Sequence, residues 1–268
     1  PVLVAAFEGW NDAGEAATGV VEHLEESWQA VPLGKIDPED YYDFQVNRPH
    51  VSVDETGVRS LDWPTTRVSL ARPAGVGRDV VLVRGIEPNM RWRGFCAELL
   101  AAVHDLGVER IVTLGALLAD VPHTRPVPVT VSTSDEKLAK SLGLEPSRYQ
   151  GPTGIVGVLQ DAARRDGLVA TTLWAAVPHY VAQSPCPKAT LVLLRRIEDL
   201  LNLPVPLGDL PDEARAWQHG VEELATEDPE IADYVRRLEQ ARDTTDLPEA
   251  SGEHIAREFE RYLRRRDE

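Results

Sequence analysis

The sequence predicts an α/β fold, a three-layer α/β/α sandwich followed by an all-helical region. Strand and helix signals alternate through about the first 200 residues, which is typical of a sheet covered by helices on both faces. The run 80–83 is continuously apolar and the run 110–114 is apolar apart from Arg110 and Thr113, as expected of strands buried on both sides. Beyond residues 203–208 no strand pattern remains. We therefore expect an α/β domain over residues 1–205 and a helical region over residues 206–268.

The elements of the first region are predicted from apolar runs that end at polar or glycine-containing turns. The predicted strands cover residues 2–7, 51–54, 67–71, 80–83, 111–114, 127–132 and 169–177. The predicted helices cover residues 13–26, 93–106, 133–142, 155–166 and 189–201. Gly107 is placed to end the second helix. Thr133 and Glu136 have the spacing of a capping box, which predicts a helix start at Thr133.

The last sixty residues show apolar side chains at helical spacing and a strong acidic bias. Three helices are predicted around the sets Trp217, Val221 and Leu224; Ile231, Val235 and Leu238; and Ile255, Phe259 and Leu263. Asp228 and Ser251 are candidate N-caps. Residues 209–268 hold 18 acidic and 9 basic side chains, so they supply −9 of the formal charge of −16. The region is either a small bundle with a solvated acidic face or an arm for oligomerisation or docking.

Composition and charge exclude several classes of partner. The hydrophobic content of 43% is that of an ordinary globular protein, and no apolar run approaches the length of a membrane span. A net charge of −16 repels nucleic acids and anionic membranes. Two cysteines, far apart in sequence, suggest a reducing compartment rather than a disulfide framework. We expect a cytoplasmic protein with no nucleic-acid partner and no membrane partner.

The sequence contains none of the common signatures of cofactor or nucleophile chemistry. It has no P-loop and no Gly-x-Ser-x-Gly nucleophile elbow, and its seven histidines show no paired metal-ligand spacing. We expect no cofactor and no metal. Cys186 precedes a predicted helix beside Lys188, where a reactive thiol is conceivable, but without a neighbouring general base an inert buried thiol is favoured.

Polar side chains follow four of the predicted strands, and in an open α/β sheet such loops can meet at one edge. A fifth segment, a glycine-rich turn before the predicted helix at 155, offers exposed amides and a hydroxyl that could cradle an anion. The two readings are a crevice for a small ligand and a set of helix caps and loop contacts. The candidate crevice residues are Glu8, Asn11, Asp12, Arg84, Glu87, Asn89, Arg91, His123, Arg125, Thr153, Gly154 and His179.

Several of these segments together resemble the PAC2 family, which is named for a eukaryotic proteasome assembly chaperone. The resemblance is carried by Phe-Glu-Gly-Trp-Asn-Asp-Ala-Gly at 7–14, Gly-Ile-Glu-Pro at 85–88, Thr-Leu-Gly-Ala at 113–116, Gly-Pro-Thr-Gly-Ile at 151–155 and Pro-His-Tyr at 178–180. The first motif is fairly specific and the others are individually weak. The chain is most similar to the actinobacterial branch, which has an additional C-terminal helical region.

The resemblance implies a core similar to the phosphorylase/hydrolase-like fold of purine nucleoside phosphorylases. It also implies an assembly chaperone or interaction factor, commonly a homo-oligomer, with proteasome subunits as candidate partners. Proteasome-binding relatives typically end in a hydrophobic-Tyr-any-residue tail, whereas this sequence has Arg266-Asp267-Glu268 there and keeps Tyr262 internal. That departure argues against docking by such a tail unless the chain extends further.

Two hypotheses about function follow. The first is a non-catalytic interaction factor of the PAC2 type, with Trp10, Trp92, Trp174 and Trp217 either as anchors for a partner or as core packing. The second is a phosphorylase- or hydrolase-type enzyme that acts on a nucleoside-like or anionic small molecule. In that enzyme an arginine (Arg84, Arg91 or Arg125) would hold the anion. An acid or base (Glu8, Asp12 or His123) would move the proton.

Overall fold

The computed structural model describes residues 1–75, 77–144, 149–181 and 184–244. Over these residues the chain forms nine strands and seven α-helices. The strands are β1 (Val2–Glu8), β2 (Val31–Lys35), β3 (His50–Val53), β4 (Arg59–Asp62), β5 (Thr66–Ala71), β6 (Val80–Ile86), β7 (Arg110–Ala119), β8 (Val129–Thr133) and β9 (Val169–Pro178). The helices are α1 (Ala16–Ser27), α2 (Trp92–Asp105), α3 (Glu136–Ser141), α4 (Ile155–Arg165), α5 (Pro187–Leu201), α6 (Leu210–Glu227) and α7 (Pro229–Thr244).

Seven strands form one sheet, in the order β2-β5-β6-β1-β7-β9-β8. The four central strands, β6, β1, β7 and β9, are parallel, and the flanking strands β5 and β8 run antiparallel to their neighbours. The carboxyl ends of the four parallel strands therefore lie along one edge of the sheet, as expected from the sequence. β3 and β4 pair only with each other and form a separate hairpin.

Helices cover both faces of the sheet, and β1 shows how its sequence serves both. Val2, Val4 and Ala6 belong to a core that includes buried residues of α1 and α5. Leu3, Ala5 and Phe7 belong to the core on the opposite face, with buried residues of α2 and α4. Successive side chains of a strand point to opposite faces, so an apolar run buries both sides. The sandwich of three layers follows from this pattern.

The structure confirms the predicted strands and helices of the first region, with ends that shift by a few residues. Two strands were missed. β2 contains proline and glycine, and both β2 and β4 are exposed along their whole length, so neither carries an apolar signal. The predicted start of α3 at Thr133 is wrong: Thr133 ends β8, and Asp135 caps the helix by accepting hydrogen bonds from the backbone N–H groups of Lys137 and Leu138. Gly107 follows the end of α2 with a φ of 67° and donates its N–H to His104, as predicted.

The helices α6 and α7 continue from the sandwich. Leu210 and Ala214 of α6 are buried in the same core as α1 and α5. α7 begins one residue after α6, and the predicted N-cap Asp228 accepts a hydrogen bond from the backbone N–H of Glu230 at 2.9 Å. Two predicted C-terminal helices are thus confirmed. The third, with its N-cap Ser251, lies outside the described residues, and the division at residue 205 stays a prediction.

Among the described residues, every helix is too short or too polar to cross a membrane.

Candidate functional site

The carboxyl edge of the parallel strands carries the predicted site residues. Glu8, Ile86, Ala119 and Pro178 end the four strands there, and the polar loops begin after them. The side chains do not form one cluster. They divide into four sets of contacts.

The first set joins the ends of β1 and β6 to the start of α4. The backbone carbonyl of Asn11 accepts a hydrogen bond from the N–H of Ala116 at 2.7 Å, which fixes the loop against β7. Glu87 accepts a hydrogen bond from the N–H of Ile155 at 2.8 Å and so satisfies one of the free donors at the N-terminus of α4. The Asn11 side chain is fully buried and faces Gly154, the N-cap of α4, whereas Thr153 beside it is exposed. The structure therefore brings Asn11, Glu87 and Gly154 together.

Both polar atoms of the Asn11 amide are buried without a hydrogen-bond partner among the described residues. A Cβ on Gly154 would lie closer than 3.0 Å to Asn11 Oδ1, nearer than real Cβ atoms come to another atom. Only glycine leaves room for this amide, so the Gly-Pro-Thr-Gly turn and the Glu-Gly-Trp-Asn-Asp loop fit each other sterically. This contact brings together the motifs at 7–14 and 151–155, which lie far apart in the sequence.

The second set is centred on Asp12, which caps α1 although it lies several residues before the helix. Its carboxylate accepts hydrogen bonds from the N–H of Ala17 at 2.6 Å, the N–H of Thr18 at 3.2 Å and the Thr18 hydroxyl. Only 6% of the residue is exposed. Burial raises the pKa of Asp12 to about 6, against the opposing effect of these hydrogen bonds. Asp12 holds the helix in place.

Beside Asp12, an open groove of about 1040 Å³ runs along α1 toward the α5–α6 connection. Arg84 lies in this groove and pairs with Glu22 at 3.1 Å and Glu25 at 3.5 Å. Carboxylates dominate the lining, with Arg84 and His23 as its basic groups. The acidic residues that line it are Glu8, Asp12, Glu15, Glu22, Glu26, Asp209 and Glu213.

The third set lies at the ends of β7 and β9, where His123 is buried beneath the loop. The Tyr180 hydroxyl accepts the backbone N–H of His123 at 2.8 Å and lies 2.8 Å from the imidazole Nδ1. His123 Nε2 is buried without a partner among the described residues. Burial lowers the pKa of His123, so the ring is held neutral.

The loop above His123 is held from two sides. Lys188 of α5 donates to the backbone carbonyls of His123 and, at 3.0 Å, of Arg125. From α7, the Asp243 carboxylate accepts hydrogen bonds from Nε and Nη2 of Arg125, at 3.0 and 2.6 Å. The Glu239 carboxylate accepts one from Nη1 at 3.2 Å. This ion pair raises the pKa of Arg125 and lowers that of Asp243.

His179 joins the same set of contacts. Its Nδ1 lies 3.2 Å from Asp120, which also accepts the Tyr234 hydroxyl at 2.8 Å. The rings of His179 and Tyr234 pack edge to face with centroids 5.4 Å apart. His123, Arg125 and His179 are therefore brought together beside α7.

The fourth set holds the segment between β2 and β3. Asn89 accepts hydrogen bonds from the N–H of Asp43 at 2.9 Å and the side-chain amide of Asn47 at 2.8 Å. Arg91 pairs with Asp40. Both predicted site residues thus fix a neighbouring loop.

The model of the PAC2 family matches residues 6–225, which is most of the chain. The chain belongs to the PAC2 family. Nothing among the curated proteins matches it.

Solved structures agree with this assignment. A PAC2 family protein from Streptomyces avermitilis is 61% identical, with a TM-score of 0.83 over 88% of this chain and 99% of that one. A proteasome-assembly chaperone homologue from Mycobacterium tuberculosis is 56% identical, with a TM-score of 0.81 over 88% of this chain and 100% of that one. An archaeal proteasome activator from Pyrococcus furiosus shares the fold at 15% identity, with a TM-score of 0.67 over 84% of this chain and 93% of that one.

The structure also shows the surroundings of Cys186 and of the four tryptophans that the sequence suggested as anchors of this PAC2 protein. Cys186 is buried, and burial raises the pKa of its thiol to about 11, which favours the inert reading. Trp92, Trp174 and Trp217 pack against the two cores, and Trp10 lies 6.4 Å from Trp174 between ring centroids. Within the described part of the chain, no three side chains among His, Cys, Asp and Glu are grouped to hold a metal ion.

Sequence reasoning missed the acidic groove of this PAC2 protein. Glu22 and Glu26 are spaced four residues apart on α1, so one face of that helix could have been recognised as acidic. Asp209 and Glu213 come from α6 and the turn before it, and only the packing of α6 beside α1 and α5 brings them to the same groove.

Proposed function

We propose that this chain is a proteasome-assembly-chaperone-like interaction factor that binds proteasome subunits and catalyses no reaction. The observation that carries the proposal is the 56% identity to a proteasome-assembly chaperone homologue over the full length of that protein. We further propose that it acts in the cytoplasm as a homo-oligomer and has no nucleic-acid partner. Its core, which resembles the phosphorylase/hydrolase-like fold, serves as a binding scaffold in this proposal.

The contacts of the candidate residues support binding over catalysis. Three of the groups that the enzyme hypothesis would use are engaged within the chain: Asp12 caps α1, His123 bonds to Tyr180, and Arg125 pairs with Asp243. Arg84 is paired with Glu22 and Glu25, so its charge is balanced before any anion arrives. An anion-binding enzyme needs a positive site, and the groove beside Arg84 is acidic.

We propose the acidic groove as the surface that meets the partner. Opposite charges across an interface raise the association rate and orient the encounter, so a groove lined by seven carboxylates fits a basic partner face. The groove is open to solvent along α1, which gives an extended segment access without displacing a helix. This attraction weakens with added salt.

Co-purification with actinobacterial proteasome α and β subunits tests the proposal. We expect the tagged protein to retain subunits at low salt and to lose them as salt is raised. The double variant Glu22→Lys/Glu26→Lys should lose retention, whereas Glu223→Lys/Glu227→Lys, with the same spacing on an exposed face of α6, should keep it. Absence of proteasome subunits from wild-type protein would contradict the function, and equal retention by both variants would contradict only the choice of surface.

A further inference from the structure

The β3–β4 hairpin stands away from both cores of the molecule. Every residue from 50 to 63 is exposed, and none belongs to a core cluster. Half of the twelve large apolar side chains that are exposed in the described part of the chain lie in this short stretch and its approach. They are Val46, Val51, Val53, Val58, Leu61 and Trp63. Such a concentration on a projecting element marks an interaction surface.

The hairpin is nevertheless well formed, because its turn is encoded locally. Asp54 accepts hydrogen bonds from the N–H groups of Thr56 and Val58, both at 2.9 Å. Gly57 takes a φ of 83°, which glycine adopts without strain, and its N–H bonds to the carbonyl of Asp54 at 3.0 Å. Across the strands, the hydroxyls of Ser52 and Ser60 lie 2.6 Å apart.

The base of the hairpin is fixed to the body of the molecule. Asn89 holds Asp43 and Asn47 on the side that leads into β3. On the side that leaves β4, Trp63 packs edge to face on Phe44 with centroids 4.8 Å apart. Pro64, the next residue, is buried. A preformed arm on a fixed base has little conformational entropy left to lose on binding.

The two faces of the arm differ in chemistry. The register pairs Val51 with Leu61 and Val53 with Arg59, so these four side chains share one face. The other face carries His50, Ser52, Ser60 and Asp62. A two-stranded sheet alone is marginally stable in water and needs a cover for its apolar side. We call Val51, Val53, Arg59 and Leu61 the arm face.

The charge distribution indicates what covers the arm face. The chain has a net charge of −16, so two copies repel each other over most of their surfaces. The arm face has no acidic residue, and its one charged member, Arg59, has an aliphatic stem that extends the apolar surface. A symmetric contact places the same patch on both subunits, and this patch meets its own copy without acid–acid repulsion.

The outer edge of the main sheet is a poorer candidate for self-association. β2 is exposed along its length, with Val31 and Leu33 outward. However, it contains Pro32, an irregular register with β5 and a terminal lysine, Lys35. These are the features by which proteins prevent edge-to-edge pairing.

We propose that the arm face is the self-association surface of this protein and that it packs against the arm face of a second copy. The inference rests on the homo-oligomer that is part of the proposed function, and it names the surface. Stable complexes usually bury about 800 Å² on each partner, more than one hairpin face supplies, so we expect an association that depends on protein concentration.

Complementary charges on the arm face test this directly by light scattering coupled to size exclusion over a concentration series. Val51→Lys/Val53→Lys and Val51→Glu/Val53→Glu should each be folded and should each weaken self-association at least tenfold, because like charges face each other across the contact. An equimolar mixture of the two should recover the mass of the wild-type oligomer. The control Ser52→Lys/Ser60→Lys, on the opposite face of the same hairpin, should associate as wild type does.

The outcomes separate the surface from the oligomer. A wild-type oligomer that both charged variants retain would overturn the arm face and leave self-association standing. A wild-type protein that is monomeric at every concentration would overturn both. Loss in each charged variant without recovery in the mixture would show that the arm binds a different surface, which also contradicts the proposal. Thermal unfolding of each variant checks that the exposed substitutions leave the fold intact.

Discussion

The amide of Asn11 and the backbone of Gly154 lie so close that no side chain fits between them. Asn11 follows β1, and Gly154 is the N-cap of α4. Two loops that are separated by more than 100 residues in sequence are thereby fixed to each other, with Glu87 as the third member.

Gly154→Ala should lower the free energy of unfolding by about 1–3 kcal/mol, the usual cost of overpacking a tight site. The backbone at Gly154 has a φ of −92°, which alanine adopts freely, so the cost comes from the clash with Asn11 Oδ1. Urea denaturation measures it. Gly220→Ala in α6 is the matched control, because nothing lies within 4 Å of its added methyl group and helix propensity favours it by about 0.5–1 kcal/mol. Equal effects of the two substitutions would contradict the steric account.

Asp12→Asn should change how stability depends on pH. The pKa of Asp12 is raised from 3.8 to about 6 in the folded protein, so the native state binds the proton more tightly than the unfolded chain. Its contribution is complete below pH 3.8 and is lost as the pH rises through about 6, on the order of 3 kcal/mol. The asparagine side chain can still accept the hydrogen bond from the N–H of Ala17, and because it does not ionise it does not lose stability as the pH rises. We expect it to gain stability over wild type between pH 4 and pH 7.

Chemical denaturation at several pH values gives the difference between the Asp12 variant and wild type, which removes the effect of other carboxyl groups. Glu15→Gln, at an exposed position in the same loop, is the control and should leave the pH profile unchanged. A constant difference between Asp12→Asn and wild type across this range would rule out a raised pKa as the cause.

His123 should produce the opposite trend. Burial lowers its pKa below the ordinary 6.5, so the folded state prefers the neutral ring, and this stability is present above pH 6.5 and lost as the pH falls. His123→Asn keeps a hydrogen-bonding side chain beside the Tyr180 hydroxyl and cannot take up the proton. We expect the variant to lose less stability than wild type between pH 7 and pH 5. His219→Asn on the exposed face of α6 is the control and should behave as wild type. Parallel curves of unfolding free energy against pH for His123→Asn and wild type would contradict a lowered pKa of His123.

Arg125→Ala should loosen α7. The guanidinium contacts Asp243 and Glu239, and Val235 is the one buried residue of the helix among its described residues, so polar contacts supply much of the docking. Hydrogen–deuterium exchange followed by mass spectrometry should show faster exchange in α7, with α1 and the central strands unchanged. Arg164→Ala, which removes an exposed ion pair on α4, is the control and should not affect α7. Unchanged protection of α7 in Arg125→Ala would contradict the role of Arg125 in holding α7 in place.

Local sequence carried most of the fold prediction. The largely apolar runs at 80–83 and 110–114 lie in central parallel strands, and the stop at Gly107 and the cap at Asp228 are as expected. Each of these features depends on only a few neighbouring residues: an apolar run for a strand buried on both faces, a glycine at positive φ, and a carboxylate at a helix start. Such features can therefore be recognised in the sequence alone. The exposed strands β2 and β4 were missed because solvent-facing positions leave no apolar pattern.

The candidate site shows where such reasoning ends. The sequence by itself determined that polar loops follow the parallel strands, because the direction of a strand fixes the sheet edge at which the next loop emerges. Its short motifs also determined the resemblance to PAC2 proteins. Only the tertiary structure decided that Asn11 meets Gly154 while Arg125 meets Asp243, and that α1 and α6 share one acidic groove. These contacts join residues far apart in the chain, and they depend on how helices pack over the sheet, which no local pattern encodes.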